Sequence, residues 1–354
     1  MKPTARSVLA LSLLSSLACG GSTNSPITVL DDAAVLDTSV PNVDAAIPSD
    51  TSVASDATPD SSTASVADPS SDGPFAIAER DGAMNVSSTG DNNLALHIAY
   101  PTNAGTYPVV VIAHGFQLPP SQYYGYAKRL ASFGYVAMTV DYPASAFGMN
   151  NPNQAKDLLA AIDWAKLDSK LGPIADTNDV GMSGHSLGGK LALLASTMDS
   201  RVKASFALDP VDGGAQGCAM PNCVNVAPLM GALKIPTGFI GETTDGMSNF
   251  QACAPSALNY MTFYAQTQSP SLAVTAIGAN HMSFLDDVSK CGFVCGFCNK
   301  PTVTNGQVNG MARAFMVAFY ERYLRGNVAY DAYLTGSQAQ SRYVSTQQAT
   351  LLAK

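Results

Sequence analysis

The segment from Val180 to Lys190 (VGMSGHSLGGK) holds a serine in the pattern Gly-x-Ser-x-Gly. An apolar run precedes the motif and a helix-favouring run follows it, which predicts a strand, a sharp turn and a helix. Because the backbone is strained at such a turn, small residues are needed on both sides, and Gly184 and Gly188 supply them. The pattern makes Ser186 a candidate nucleophile, although the five residues alone also fit a glycine-rich turn with an incidental serine.

A nucleophilic serine needs a histidine that accepts its proton near neutral pH. The chain has four histidines. His185 lies within the turn with its side chain directed away from the serine, His114 follows a predicted strand, and His97 lies inside an early strand. His281 alone lies on a loop after the last predicted sheet strand, downstream of the serine. We therefore assign His281 as the base and expect the other three to be packed or locally hydrogen-bonded.

The third group is a carboxylate that orients the imidazole, and it should end a strand between the serine and His281. Asp209 does so, directly after an apolar run. The alternatives are Asp212 in the same loop, and Glu242 and Asp245 in the loop after the next strand. We favour Asp209, although an aspartate before proline can also simply begin a turn.

Attack on a carbonyl carbon builds negative charge on its oxygen, which preorganised backbone N–H groups can stabilise. The N–H of Leu187, at the start of the predicted helix, is one candidate donor, and the N–H of Phe116 is the second. This chemistry needs neither a metal nor an organic cofactor. The side chains of Phe116, Tyr123 and Tyr124 could line an apolar pocket near the entrance or belong to the core.

Strands and helices alternate from residue 75 to about residue 330. Apolar runs predict strands near 94–100, 107–113, 136–140, 204–208, 235–240 and 272–277, and helical spacing predicts helices near 123–133, 154–167, 189–197 and 306–324. This order predicts one α/β domain with a mostly parallel, doubly wound sheet and helices on both faces. Residues 331–354 are expected to form a C-terminal tail.

The first 19 residues resemble a bacterial lipoprotein signal. Lys2 and Arg6 precede the apolar run Val8–Leu17, and Cys19 is the candidate for lipidation. Plain secretion is the alternative, because Ser16 stands where lipoprotein signals usually have leucine. We expect the protein at the bacterial cell envelope as a lipid-anchored protein, or secreted.

Residues 20–74 have the composition of a disordered acidic tether. Between residues 22 and 73 there are nine Asp but no Glu, Lys, Arg or aromatic residue. From residue 74 onward, 17 basic residues (19 less Lys2 and Arg6) face 18 acidic ones (27 less these nine), a net charge of −1. This balance argues against a nucleic-acid partner, and it leaves the lipid anchor as the expected membrane contact of a monomer.

Six cysteines remain besides Cys19, and in an exported protein an even number predicts disulfides. They are Cys218, Cys223, Cys253, Cys291, Cys295 and Cys298. The spacing of the last three also matches a radical iron–sulfur site, and with His281 they could form a zinc site. We favour disulfides over both metal sites because of the oxidising compartment and the absence of a barrel pattern.

Several motifs, taken in order, resemble those of chlorophyllases, which are ester hydrolases of the α/β-hydrolase fold. They are residues 110–140, Gly184–Lys190, LDPVDG at 208–213, Cys253–Pro255 and HMSFLDD at 281–287. The resemblance covers roughly residues 85–325 and implies a charge relay of Ser186, Asp209 and His281. Platelet-activating-factor acetylhydrolases and cutinase-like polyester hydrolases have the same layout more distantly. Leu187 stands where chlorophyllases usually have arginine.

The sequence thus predicts a serine carboxylic-ester hydrolase that works through an acyl-enzyme and acts on a small-molecule or polymeric ester. Alternatives are a cutinase-type polyester hydrolase, a lipase-type esterase, and a surface-binding lipoprotein that uses the scaffold without catalysis. Retention of serine, histidine and acid together argues against the last. The motifs do not choose among chlorophyll, lipid and polyester as substrate.

Overall fold

The structure is a computed structural model that describes residues 66–144, 149–213, 220–247 and 252–354. The signal segment, Cys19, Cys218 and the tether up to residue 65 lie outside these residues. Predictions made for them are therefore neither supported nor corrected by the fold.

The described residues form a nine-stranded sheet in the order β1-β2-β4-β3-β5-β6-β7-β8-β9. Strands β3 to β8 are parallel to their neighbours within that set, whereas β1, β2 and β9 join it in antiparallel orientation. The strands are β1 (Ile77–Val86), β2 (Asp91–Pro101), β3 (Tyr107–Ala113), β4 (Val136–Val140), β5 (Ala175–His185), β6 (Val202–Leu208), β7 (Thr237–Glu242), β8 (Ser271–Ala276) and β9 (Ala349–Ala353). This mostly parallel sheet confirms the predicted α/β-hydrolase architecture.

Helices cover both faces of the sheet. They are α1 (Tyr124–Ser132), α2 (Asn151–Leu167), α3 (Leu187–Ser196), α4 (Tyr260–Gln266), α5 (Asn305–Tyr323), and the short turns α6 (Asp331–Leu334) and α7 (Ser337–Ala339). Buried side chains of α2, α3 and α4 share one core with the sheet, and those of α1 and α5 share the other. No helix in the described ranges has the length and apolarity needed to cross a membrane.

Strand β3 shows why the central strands read as continuous apolar runs. Val109 and Val111 pack into one core, while Val110 and Ile112 pack into the other, and all four are fully buried. Because successive side chains point to opposite faces and both faces are covered by helices, every position must be apolar.

The ordered domain begins earlier than predicted. Arg342 pairs with Asp68 at 2.7 Å, and Arg129 pairs with Asp72 at 3.1 Å. The guanidinium of Arg342 also holds the pKa of Asp68 at about 2. The tether was expected to reach residue 74, but these contacts join residues 66–73 to the domain.

The C-terminal residues are part of the sheet rather than a tail. Strand β9 pairs with β8 from Leu272 opposite Ala353 to Ala276 opposite Ala349. The pairing covers the backbone of β8, which would otherwise be an open edge of the sheet. The domain therefore continues past residue 330.

Two disulfides lie among the described cysteines, Cys253–Cys298 and Cys291–Cys295, and Cys223 is disulfide-bonded as well. The expected disulfides are thus present for these residues. Because Cys291, Cys295 and Cys298 are all oxidised, their sulfur atoms are not available as thiolate ligands for an iron–sulfur cluster or for zinc.

Candidate active site

Ser186 lies at a sharp turn between β5 and α3. Its backbone angles, φ 57° and ψ −122°, are in a region that residues with a side chain rarely adopt. A Cβ atom on Gly184 would lie 2.4 Å from the carbonyl oxygen of Gly188, and one on Gly188 would lie 2.3 Å from that of Ala113. The two glycines therefore allow the start of α3 to pack against the ends of β5 and β3, and Ser186 remains partly exposed.

Three predicted side chains meet beside this turn. His281 Nε2 lies 2.8 Å from Ser186 Oγ, and His281 Nδ1 lies 2.6 Å from Asp209 Oδ2. Asp209 is fully buried, and His281 is 3% exposed. The three groups thus form one continuous hydrogen-bonded path from a buried carboxylate to a partly exposed hydroxyl.

The parallel sheet explains how residues so far apart in the chain come together. Ser186 follows β5, Asp209 follows β6 and His281 lies in the loop after β8, so all three lie at the carboxyl edge of the strands. Parallel strands place the loops that follow them at the same edge. The main chain is also tied across this edge, since Ser186 N–H donates to Leu208 O at 3.0 Å and Asp209 N–H to Ile240 O at 2.6 Å.

The pKa of the Asp209 carboxyl depends on its burial and on its contact with His281. Loss of solvent raises the pKa of its carboxyl, while the hydrogen bond from His281 acts in the opposite direction. Its second oxygen, Oδ1, is buried without a hydrogen-bond partner in the described part of the chain. An ionised Asp209 therefore depends on His281 for most of its stabilisation, which favours a proton on His281 Nδ1 and leaves Nε2 free to accept one.

The alternative acids have other partners. Asp212 accepts from the N–H groups of Val226 and Ala227 and pairs with Lys190 at 3.4 Å. Asp245 accepts from the main-chain N–H of His281 at 2.8 Å through Oδ2. Neither carboxylate has a described hydrogen bond to the imidazole ring.

Glu242 turns its carboxylate back onto its own loop. Its Oε2 accepts from the N–H of Asp245 at 2.8 Å and from the N–H of Thr244, and its Oε1 is buried without a partner among the described residues. Burial and the nearby Asp209 raise the pKa of Glu242 to about 7. Glu242 therefore gains or loses a proton close to neutral pH beside the candidate acid.

None of the other three histidines has a described hydrogen bond to the side chain of Ser186. His97 lies between Asp81 and Glu79 of β1 at 2.8 and 3.0 Å, and it stacks on Tyr124. His114 is buried against the ring of Tyr142, and burial lowers its pKa. His185 is fully buried, with Nε2 2.8 Å from the carbonyl oxygen of His281.

The two candidate oxyanion donors belong to neighbouring segments. Leu187 is the first residue of α3, where backbone N–H groups have no partner within the helix. Phe116 follows Gly115 in a turn closed by a hydrogen bond from Leu118 N–H to Gly115 O at 3.1 Å. The packing of Gly188 against the carbonyl groups of Ala113 and His114 brings these two segments together.

Tyr123 does not lie at the entrance. It is fully buried, whereas Phe116 and Tyr124 are partly exposed. Sequence reasoning also missed two contacts to the main chain of His281, from Asp245 to its N–H and from His185 to its C=O. Asp245 is an alternative acid by its position after β7, and His185 is expected to be packed or locally hydrogen-bonded, but neither residue type indicates a contact with the main chain of His281.

The chain matches the chlorophyllase family model over residues 73–344. Among curated proteins, it is similar to Chlorophyllase-1 of Arabidopsis thaliana, with 28% identity over 251 residues that cover 66% of this chain and 77% of that protein. Chlorophyllase-2 of the same plant is 27% identical over 258 residues, with 66% of this chain and 78% of that protein covered.

A shorter similarity links the chain to bis(hydroxyethyl) terephthalate hydrolase of Streptomyces coelicolor, which is 30% identical over 139 residues, 39% of this chain and 44% of that protein. The family match spans strands β1 to β8 and includes Ser186, Asp209 and His281. The chain belongs to the chlorophyllase family of α/β-hydrolases and is a carboxylic-ester hydrolase.

Proposed function

We propose that the chain cleaves esters through an acyl-enzyme intermediate, with Ser186, His281 and Asp209 as its charge relay. The observation that carries this proposal is the hydrogen-bonded path from Ser186 Oγ to His281 Nε2 at 2.8 Å and from His281 Nδ1 to Asp209 Oδ2 at 2.6 Å. A carboxylate, an imidazole and a hydroxyl in this order can activate the hydroxyl as a nucleophile.

In the first half of the reaction, Ser186 Oγ forms a bond to the ester carbonyl carbon while His281 Nε2 takes the hydroxyl proton. The resulting tetrahedral oxyanion accepts hydrogen bonds from the N–H groups of Phe116 and Leu187. When the intermediate collapses, the bond to the alcohol oxygen breaks, and His281 gives its proton to that oxygen. The alcohol leaves, and the acyl group remains on Ser186.

In the second half, water replaces the alcohol. His281 Nε2 takes a proton from water as the water oxygen attacks the acyl carbon, and the same donors bind the second oxyanion. Collapse returns the proton to Ser186 Oγ and releases the carboxylic acid. Asp209 stays ionised throughout and stabilises the positive charge that His281 carries in both halves.

The substrate class is best described as an ester with an apolar group. Its relatives include proteins named as chlorophyllases and one named as a bis(hydroxyethyl) terephthalate hydrolase, and a terephthalate ester contains an aromatic ring. An open surface depression of about 490 Å³ lies beside the candidate oxyanion loop. It is lined by His114, Gln117, Leu118, Pro119, Asp141, Tyr142, Pro143 and Ala144. We propose that it takes one of the two groups flanking the ester bond.

The first test compares ester turnover in single variants. Ser186→Ala and His281→Ala should lose nearly all hydrolysis of p-nitrophenyl esters. Ser183→Ala is a matched control, since Ser183 is a fully buried serine of β5, the strand that precedes Ser186, and donates to Phe206 O at 2.6 Å. It should keep its turnover rate. Substantial turnover by Ser186→Ala would refute the proposal.

The substrate is identified with a panel containing chlorophyll, short and long acyl esters, and a polyester film. Comparison of kcat/KM across the soluble esters separates the alcohol preference from the acyl preference. Release of acid from the film, but not from chlorophyll, would support the polyester alternative.

The proposed location remains the cell envelope, through lipidation of Cys19, or the exterior. The disulfides of the domain support an oxidising compartment. Incorporation of labelled fatty acid into the wild type, but not into Cys19→Ser, would establish the anchor. Release of the unmodified protein into the medium would favour plain secretion.

A further inference from the structure

His185, the residue before Ser186, is the centre of a buried chain of hydrogen bonds. The N–H of Gly115 lies 3.2 Å from Tyr123 Oη, Tyr123 Oη lies 2.8 Å from His185 Nδ1, and His185 Nε2 lies 2.8 Å from the carbonyl oxygen of His281. Both side chains are fully buried. We call these three bonds the Tyr123–His185 relay.

The chemistry of each group fixes the direction of every bond in the relay. The carbonyl oxygen of His281 can only accept, so His185 Nε2 must donate. Burial and the neighbouring ring of His281 hold the pKa of His185 well below its usual range, so the ring is neutral and its Nδ1 accepts. Tyr123 must then donate its O–H to Nδ1, and its oxygen accepts the N–H of Gly115.

The relay joins two parts of the site that are distant in sequence. One end is the main chain of His281, the proposed base, and the other is Gly115, whose C=O leads directly into the N–H of Phe116. A Cβ atom at Gly115 would lie 2.7 Å from Leu118 Cδ1 and 3.2 Å from His185 Nδ1. The close approach of this loop to the relay therefore depends on a glycine.

We propose that Tyr123 and His185 are positioning residues that hold His281 and the Gly115–Phe116 loop in one fixed relation to Ser186. This inference rests on the proposed function, because it assigns the relay to the charge relay and oxyanion donors named there. A neutral His185 also adds no positive charge beside His281, whose ring centre lies 4.7 Å away, when His281 becomes protonated during catalysis.

Positioning predicts a loss of rate rather than of substrate binding. Misplacing a catalytic group by about 1 Å can cost about 100-fold in rate. His185→Leu, which removes both ring nitrogens, should lower kcat about 100-fold with KM little changed. Tyr123→Phe, which leaves Gly115 N–H and His185 Nδ1 without their partner, should lower kcat about 10-fold.

Two further variants separate positioning from stability. His185→Gln offers an amide donor for His281 O and an amide oxygen for Tyr123, and it should recover most of the kcat lost in His185→Leu. Tyr320→Phe is the matched control, since the fully buried Tyr320 hydroxyl donates to Met182 O at 2.8 Å. It should lose about as much thermal stability as Tyr123→Phe while keeping kcat.

A spectroscopic measurement tests the relay without relying on activity. With only four histidines in the chain, selective nitrogen-15 labelling gives four ring spin systems, and the His185→Gln spectrum identifies that of His185. We expect His185 to be neutral and protonated on Nε2, with unchanged ring signals between about pH 5 and about pH 8. A His185 that is protonated on Nδ1, or that gains a second ring proton in this range, would overturn the inference.

The outcomes also distinguish this inference from the proposed function. If Ser186→Ala abolishes turnover but Tyr123→Phe and His185→Leu keep wild-type kcat, the relay is structural only, and the proposed function stands. If Ser186→Ala retains turnover, the proposed function fails, and the nitrogen-15 spectrum still decides the direction of the relay.

Discussion

The ends of β6 and β7 lie side by side at the edge of the sheet, yet their carboxylates contact different parts of His281. Asp209, after β6, binds the imidazole ring at 2.6 Å, whereas Asp245, after β7, accepts the main-chain N–H at 2.8 Å. Both side chains are fully buried. Position at a strand end therefore brings an acid to the histidine, but the path of its loop decides whether it contacts the ring or the backbone.

The loops after β6 and β7 also differ in how their backbones are held. The carboxylates of the β7 loop hold its backbone, since Glu242 accepts from the N–H of Asp245 within the loop, and Asp245 Oδ1 accepts from the N–H of Asn299 in a later segment at 2.6 Å. The end of β6 has Asp209 at φ 39°, a strained backbone conformation. We infer that the strained backbone of Asp209 is retained because it directs the carboxylate to the imidazole ring of His281. The β7 loop instead holds the main chain of His281.

The largest effect should come from Asp209→Asn. The amide cannot stabilise a positive imidazole, and it can hold His281 in the wrong tautomer, so kcat for a p-nitrophenyl ester should fall about 10⁴-fold. Circular dichroism and the unfolding temperature serve as controls for folding. A folded Asp209→Asn protein within 10-fold of the wild type would remove Asp209 from the charge relay.

A smaller loss is expected for Asp245→Asn. The amide retains one acceptor atom for two backbone N–H groups, those of His281 and Asn299, and leaving one buried N–H unpaired costs about 1–3 kcal/mol of stability. We expect kcat to fall about 10-fold to 100-fold through displacement of His281. Steady-state kinetics and denaturant unfolding measure the two effects, and a loss greater than that of Asp209→Asn would move the acid to the β7 loop.

The smallest effect on rate is expected for Glu242→Gln, whose effect is instead on the pH dependence of stability. The folded-state pKa of Glu242, about 7, lies above its ordinary value of 4.5. The folded protein therefore holds this proton more tightly than the unfolded chain, and stability falls as pH rises from the ordinary value through the raised one. Glu242→Gln removes this loss of stability with rising pH. Its amide oxygen can still accept the N–H groups of Thr244 and Asp245.

Thermal unfolding at about pH 5 and about pH 8 checks this expectation. From the lower to the higher pH, the wild type should lose about 2–4 °C more than Glu242→Gln. Asp157→Asn is a positive control, because burial also raises the pKa of Asp157 to about 7, so this variant should likewise lose less stability than the wild type between the two pH values. Equal pH dependence in the wild type and Glu242→Gln would contradict the buried, protonatable state of Glu242.

Much of the fold could be predicted because apolar runs mark the central strands. Strands β3, β4, β6, β7 and β8 are buried at nearly every position, since both faces of each strand are covered, and their sequences are accordingly rich in apolar residues. Strand β1 (IAERDGAMNV) mixes charged and polar residues with apolar ones, so no continuous apolar run marks it. Strand β9 (ATLLA) has only five residues, of which only the first is buried, so it is too short to be recognised from its sequence.

The residues of the site likewise divide into those that the sequence predicts and those that it does not. Ser186 has a local motif, and chain order selects Asp209 and His281, so these residues could be proposed without the structure. The contacts of Asp245 and His185 with the backbone of His281 depend on how three loops pack. Backbone hydrogen bonds carry no sequence pattern of their own. The sequence also leaves Tyr123 either at the entrance or in the core, and only the packing of the fold shows that it is buried.

The most direct test of the central claim is labelling with a fluorophosphonate, followed by mass spectrometry of the intact protein and its peptides. The account predicts one adduct per chain, on Ser186, with labelling abolished in Ser186→Ala and strongly slowed in His281→Ala. An adduct on any other residue, or full ester turnover by a completely labelled protein, would contradict it.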